Sequence, residues 1–219
     1  MKLPIIVLNL KAYKKGISER ALELVKICER VSKKYGLSFV ACVQPTDLYR
    51  CASSVSTPVF SQHFDPVESG ANTGSVTVNS IKENKAFGTL LNHSEKRIGM
   101  ENMKKCVELA KKYNLVSLCC VENLEEAKEI SESNPDFVAY EDKDLIGSGK
   151  SITESQPDEI KKFVEIVGDK SIPLTGAGVS SPEDVKQAIA LGTKGVLLAS
   201  AFVKSENPES FLENIAKVI

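Results

Sequence analysis

Eight short apolar runs, separated by segments of helical period, predict an α/β chain folded as a single-domain (β/α)8 barrel. Three observations carry that expectation. The runs recur about once every 27 residues along the 219-residue chain, the spacing of strand–helix units rather than of hairpins. Most of them do not alternate apolar with polar residues, as befits strands buried on both faces. Polar clusters follow several different runs, spread along the whole sequence. A barrel gathers all such strand ends around one mouth. An open doubly wound sheet, which periodicity alone leaves open, gathers only the two beside its switch point.

The predicted strands are Ile5–Leu8, Phe39–Val43, Val59–Ser61, Ala86–Leu91, Val116–Val121, Phe137–Tyr140, Ile172–Thr175 and Gly195–Ala199. After the first, Ile17, Ala21, Leu24, Val25, Cys28 and Val31 share one face of a helix, with charged residues opposite. The second and third units leave room only for short helices, around Asp47–Ser53 and Val78–Asn84. Met103, Val107 and Ala110 mark the helix of the fourth unit. Asn123, with Glu126 three residues on, has the form of a capping box for the fifth. Ser181-Pro182-Glu183-Asp184 supplies an N-cap, a proline at the first helical position and acids in the first turn. Val185, Ala188 and Ile189 continue that helix. Asn207-Pro208-Glu209 repeats the start signal before Phe211 and Ile215.

Composition narrows the function. The chain is 42% hydrophobic and 26% charged, with 28 basic and 29 acidic residues and a net charge of −1. That balance argues against nucleic acid or an anionic membrane as the main partner, since both demand a basic surface. Any anionic ligand is then held locally. The run Leu3–Leu8 is too short for a signal-peptide core, and no stretch approaches the roughly 18 apolar residues of a membrane span, so a cytoplasmic location is expected. The six cysteines are scattered without a Cys-x-x-Cys pair. They read as buried free thiols rather than as a metal site. No linker or composition break appears, so residues 1–219 are expected to form one catalytic domain.

Four polar clusters follow the strands. Asn9-Leu10-Lys11 puts two polar side chains on the same side of an extended chain, although a lysine after a strand is common. Asn92-His93-Ser94-Glu95-Lys96-Arg97 contains one of only two histidines. Ser94 also reads as a helix start, whose positive end would disfavour a protonated ring and favour an imidazole acting as an electrophile. Glu141 follows Phe137–Tyr140 directly, and the polar stretch after it carries Leu145-Ile146 and closes on Gly147-Ser148-Gly149. That apolar pair suits a lid folding over a ligand, with Glu141 as a general base at the mouth. An ordinary surface loop is the alternative. Finally, Thr175-Gly176-Ala177-Gly178 and Leu198-Ala199-Ser200-Ala201 follow the last two strands. Small side chains let backbone amides approach a ligand, and barrels commonly bind phosphate in the loops after strands seven and eight.

With these motifs assembled, the chain resembles the triosephosphate isomerase family from end to end, and its short archaeal form in particular. The matching residues are Asn9-x-Lys11, Asn92-His93-Ser94-Glu95-x-Arg97, Tyr140-Glu141 with Leu145–Gly149, Gly176-Ala177-Gly178-Val179-Ser180, and Gly195–Ser200. The resemblance implies cofactor-free and metal-free interconversion of dihydroxyacetone phosphate and D-glyceraldehyde 3-phosphate through an enediolate, in glycolysis and gluconeogenesis. It implies Glu141 as the base and a neutral His93 as the electrophile, both known parts of this family's chemistry. It further implies Lys11 as fixed positive charge and Asn9 as a substrate hydrogen-bonding group. Glu95 would orient Lys11, with Arg97 supporting that pair. The phosphate would sit near Ile146, Gly147, Gly178, Ala199 and Ser200.

Two departures stand out: Asp142 where most members carry proline, and alanines around Ser200 where relatives usually have a glycine. The chain is also some 30 residues shorter than a typical barrel of about 250. By analogy with the archaeal form, that implies a homo-oligomer, a tetramer rather than a dimer, with Thr73 at the tip of an intersubunit loop spanning Asp65–Val76. A different phosphate-binding barrel would keep the two small-residue turns, but has no reason to keep Lys11, His93 and Glu141 together. A catalytically silent homologue would have lost one of those three.

Overall fold

The computed structural model describes residues 1–142 and 152–219. Ile146, Gly147 and the rest of the expected lid lie outside the described residues. Eight parallel strands close into a barrel in sequence order. They are β1 (Ile5–Asn9), β2 (Ser38–Val43), β3 (Val59–Ser61), β4 (Gly88–Leu91), β5 (Val116–Val121), β6 (Phe137–Tyr140), β7 (Ile172–Thr175) and β8 (Gly195–Leu198). The ring closes where β1 pairs β8, with Ile5 opposite Gly195 and Leu8 opposite Leu198. Gly195 is required there. Its φ is +154°, and a Cβ at this position would lie 2.0 Å from the Ile5 carbonyl oxygen.

Helices cover the outside of the ring. The first is α1 (Glu19–Tyr35), followed by the short α2 (Leu48–Ala52) and α3 (Val78–Glu83), then α4 (Met100–Lys112) and α5 (Leu124–Ser131). After β6 come α6 (Ile152–Ser155) and α7 (Pro157–Val167), then α8 (Pro182–Ala190), α9 (Ser200–Val203) and α10 (Pro208–Ala216). The sequence signals act locally as expected at α8. Ser181 and Asp184 form a reciprocal capping box, with Pro182 in the first turn. Asn207 caps α10 by accepting from the Ser210 N–H. At α5, Asn123 accepts from Glu126, but the Glu126 carboxylate reaches back to the N–H of Glu122, one residue earlier than a capping box requires. Ile17 corrects the expected face of α1. It lies before Ser18, the N-cap, and is 37% exposed, whereas Ala21, Leu24, Val25, Cys28 and Val31 are buried.

Strand alternation sorts the core into two shells. Ile5, Val7, Val40, Leu90, Leu118, Ala139, Leu174 and Leu197 belong to a cluster built from strand residues alone, the barrel interior. Ile6, Leu8, Leu91, Val138 and Tyr140 join the cluster that contains the helix residues. Adjacent cysteines are split the same way, Cys119 outward and Cys120 inward. All six cysteines are buried and free. Burial pushes the Cys51 and Cys106 thiols up to about 12, which keeps them in the unreactive protonated form.

The inward set points the site residues. Asn9 and Lys11 continue the phase of Ile5 and Val7, and Glu141 continues that of Phe137 and Ala139. No helix among the described residues is long and apolar enough to cross a membrane.

Candidate active site

Past β1 the chain turns sharply, and Lys11 takes a left-handed backbone with φ +49°. That conformation is uncommon outside glycine and needs support. It has two supports. The Asn9 side-chain oxygen accepts from the Lys11 N–H at 3.0 Å. Gln62, just past β3, donates to the Lys11 carbonyl at 3.0 Å and to the Cys42 carbonyl at 3.1 Å. The lysine side chain is 10% exposed, and its Nζ lies 2.8 Å from Glu95 Oε1. Gln62 was not readable as a site residue. Its partners lie 51 and 20 positions away in sequence, and nothing local marks it.

At the end of β4, Asn92 also adopts a left-handed conformation, φ +59°. Its amide donates to the Cys120 carbonyl, and its oxygen accepts from the N–H groups of Ile98 and Gly99. Asn92 thereby holds the following loop, and His93 faces the barrel mouth. The expected helix start at Ser94 is not there. Ser94 and Glu95 form a turn, closed by the Lys96 N–H on the His93 carbonyl at 2.7 Å. The helix begins only at Met100, after Gly99 with φ +77°. What fixes the ring instead is one bond. The Glu95 N–H donates to His93 Nδ1 at 3.1 Å. A nitrogen that accepts must carry a lone pair, so Nε2 bears the proton of the neutral ring. Nε2 is the atom that faces Glu141, 3.7 Å from its Oε1.

Glu141 is 6% exposed, and its N–H is held by the Val121 carbonyl at 2.9 Å. Its Oε2 is buried without a hydrogen-bond partner. Gly176 makes room for this carboxylate, since a Cβ there would sit 3.3 Å from Oε1 and 2.8 Å from the Leu197 carbonyl oxygen. Burial, and then the Glu141 carboxylate itself, push the Cys120 thiol well above its usual range.

Asn9, Lys11, His93 and Glu141 line one cavity of about 220 Å³, together with Gly178, Ala199 and Ser200 from the turns after β7 and β8. Gly178 has φ +70°, and α8 secures its turn through Asp184, which accepts from the N–H groups of Ser180 and Ser181 at 2.9 Å each. Glu95 pairs with Lys11 as expected, while Arg97 does not join that pair. It turns toward α5 and contacts Glu126 and Glu122. Thr73 does not line this cavity and is exposed at the end of the loop after β3. Among the described residues no group of His, Cys, Asp and Glu is arranged to hold a metal ion.

The family model described as triosephosphate isomerase matches residues 4–218. The chain belongs to the triosephosphate isomerase family. A relative named triosephosphate isomerase from Methanothermus fervidus is 41% identical over 218 residues, covering 98% of each chain. One from Methanosarcina barkeri is 41% identical over 223 residues, covering 100% of each. In fold, the chain is similar to the crystal structure of triosephosphate isomerase from Bartonella henselae. The TM-score is 0.74 at 22% identity, with 98% of each chain covered.

Proposed function

We propose that this chain is an intramolecular aldose–ketose isomerase that interconverts dihydroxyacetone phosphate and D-glyceraldehyde 3-phosphate, serving glycolysis and gluconeogenesis. The observation that carries the reading is the meeting of Lys11, His93 and Glu141 around one cavity, from strand ends 1, 4 and 6, in a member of this family matched over residues 4–218. The chemistry needs no cofactor from this residue set. Glu141 takes the proton from C1 of the ketose. The electron pair moves into the C1–C2 bond, and charge develops on the C2 oxygen. His93 Nε2–H protonates that oxygen and recovers a proton from the C1 oxygen. Glu141 then returns its proton to C2. A neutral ring suits this role because it is both a donor and, after transfer, a matched acceptor. Lys11 offsets the developing charge, and Glu95 together with Gln62 holds it in place. Asn9 contributes a polar group to the substrate face. The phosphate occupies the turns at Gly178, Ala199 and Ser200. The near-neutral chain fits this arrangement, with one lysine and backbone amides meeting the dianion.

The test is a coupled assay that follows conversion of glyceraldehyde 3-phosphate to dihydroxyacetone phosphate. Turnover by the pure, folded protein is expected, and its absence would falsify the assignment.

Residues 1–219 are further proposed to act as one domain in a homo-oligomer, a tetramer rather than a dimer, in the cytoplasm and without nucleic acid or membrane. The loop after β3 supports an intersubunit role. It is cinched at its base, where the Asp65 N–H donates to the Val76 carbonyl and the Val76 N–H donates to Asp65 Oδ2. Residues Gly70, Ala71, Thr73 and Gly74 at its end are exposed. A second cavity of about 480 Å³, bordered by Lys11, Gln62, His63, Glu95 and Lys96, adjoins the site and could receive such a tip from a neighbour. Deleting Asn72–Gly74 should reduce the sedimentation coefficient to that of a smaller species. An unchanged coefficient defeats the loop's role.

A further inference from the structure

Glu141 stands just past the end of a strand, where its N–H is still held by the Val121 carbonyl and the Tyr140 carbonyl by the Gly176 N–H. β6 ends at Tyr140, and the next residue is Asp142 rather than a proline that would fix φ by itself. Two hydrogen bonds from one helix turn flank the glutamate. Tyr140 Oη donates to Glu159 Oε1 at 2.8 Å, and Gln156 Nε2 donates to Asp142 Oδ2 at 2.9 Å. Gln156 is the N-cap of α7 and Glu159 lies in its first turn. Three residues apart, they share a helix face. Residues 140 and 142, two apart on an extended chain, point to the same side, and residue 141 points to the other, into the barrel mouth.

The contacts are specific. An ionised carboxylate only accepts, so the Gln156 amide must present its nitrogen to Asp142, and an amide flip is excluded. The opposite atom, Gln156 Oε1, is buried without a hydrogen-bond partner. Tyr140 is fixed further by packing against Phe163 of the same helix, with ring centroids 5.3 Å apart. The sheet side is held separately, by the Glu141 N–H on Val121.

We infer that the first turn of α7 is a two-point brace for the base, in which Gln156, through Asp142, is a positioning residue for the Glu141 carboxylate. The inference rests on the reading of Glu141 as the base. Gln156 touches no reacting atom. It fixes the backbone from which the carboxylate reaches substrate, and a displacement of about 1 Å in such a group can cost up to about a hundredfold in rate.

The test uses four variants of the whole protein: Gln156→Glu, Gln156→Glu with Asp142→Asn, Tyr140→Phe and Glu141→Ala. Each is read by kcat, KM, the Kd of 2-phosphoglycolate and the thermal midpoint. Gln156→Glu sets two carboxylates against each other, and kcat should fall about ten- to a hundredfold while KM and Kd move less than about threefold. Adding Asp142→Asn restores a donor–acceptor pair with the roles exchanged, and should bring kcat back to within about threefold of the original. Tyr140→Phe should lower kcat in the same pattern but less, because the ring packing remains. If Gln156→Glu fails to fold, Gln156→Ala is read in its place, with the same expected split between kcat and KM. An undiminished kcat in the Gln156 variants, or a loss that Asp142→Asn does not recover, overturns the brace. Glu141→Ala separates the two readings. If it stays active, the base assignment fails and takes the brace with it. If it is inactive while the Gln156 variants are unimpaired, the brace alone fails.

Discussion

Replacing Glu141 with alanine should lower kcat by about a thousandfold, within the range of about 10² to 10⁴ that general-base catalysis contributes, while 2-phosphoglycolate still binds. The two halves of this result come from different parts of the cavity. The carboxylate sits on the β6 side of the cavity, facing His93 Nε2 through Oε1. The proposed phosphate turns come from β7 and β8 and do not depend on it. Alanine also removes a buried carboxylate oxygen that has no hydrogen-bond partner, so the change should not unfold the barrel. A loss below tenfold, about 1.4 kcal/mol of barrier, would exclude Glu141 as the base.

The second large effect is expected from Lys11→Met, which keeps most of the stem and removes the charge. Loss of one preorganised group that stabilises a developing oxyanion typically costs about 10² to 10³ in rate, and kcat/KM should fall by at least that much, with KM rising because the substrate is anionic. Stability should hardly change. Glu95, the partner, is 59% exposed, and pairs with one such open end contribute about 1 kcal/mol or less. The left-handed backbone at residue 11 is held by Asn9 and Gln62 through main-chain groups, which methionine retains. A thermal midpoint that drops sharply, with kcat/KM unchanged, would mean that the lysine serves the fold rather than the chemistry.

Much of this was legible in the sequence, for definable reasons. Strands buried on both faces are continuous apolar runs, and β3, β5, β6 and β7 begin and end where the runs do. Lys11, His93 and Glu141 were legible as candidates because each lies within three residues of the end of such a run, and a barrel turns sequence position into spatial position. What escaped depends on contacts across the ring. Lys11 and Asn92 take left-handed backbones that neither residue type demands, each set in part by a hydrogen bond to a distant segment. Ser94 has the composition of a helix start, but the loop is held by Asn92 and the helix waits until Met100. The neutral histidine tautomer therefore follows from a single amide of Glu95 rather than from a helix dipole. Arg97 sits in the site motif yet pairs across to α5, since a long side chain takes whichever carboxylates its backbone happens to face. The pairing of Asp142 with Gln156 spans 14 residues and has no local signature.

The seam between β1 and β8 has a bearing on how the molecule assembles. It ties residues 5–8 to residues 195–198, nearly the full length of the chain apart, and α1 meets α10 over the same join through Arg30 with Glu209 and Lys34 with Glu213. Contacts so distant along the chain are slow to form. Until they do, the first and last strands remain open edges, each able to recruit a strand from another molecule. Lys11 depends on that late event, because it extends from the strand that closes the ring. Catalytic competence should therefore arrive in refolding together with barrel closure, and not with the earlier growth of helix content.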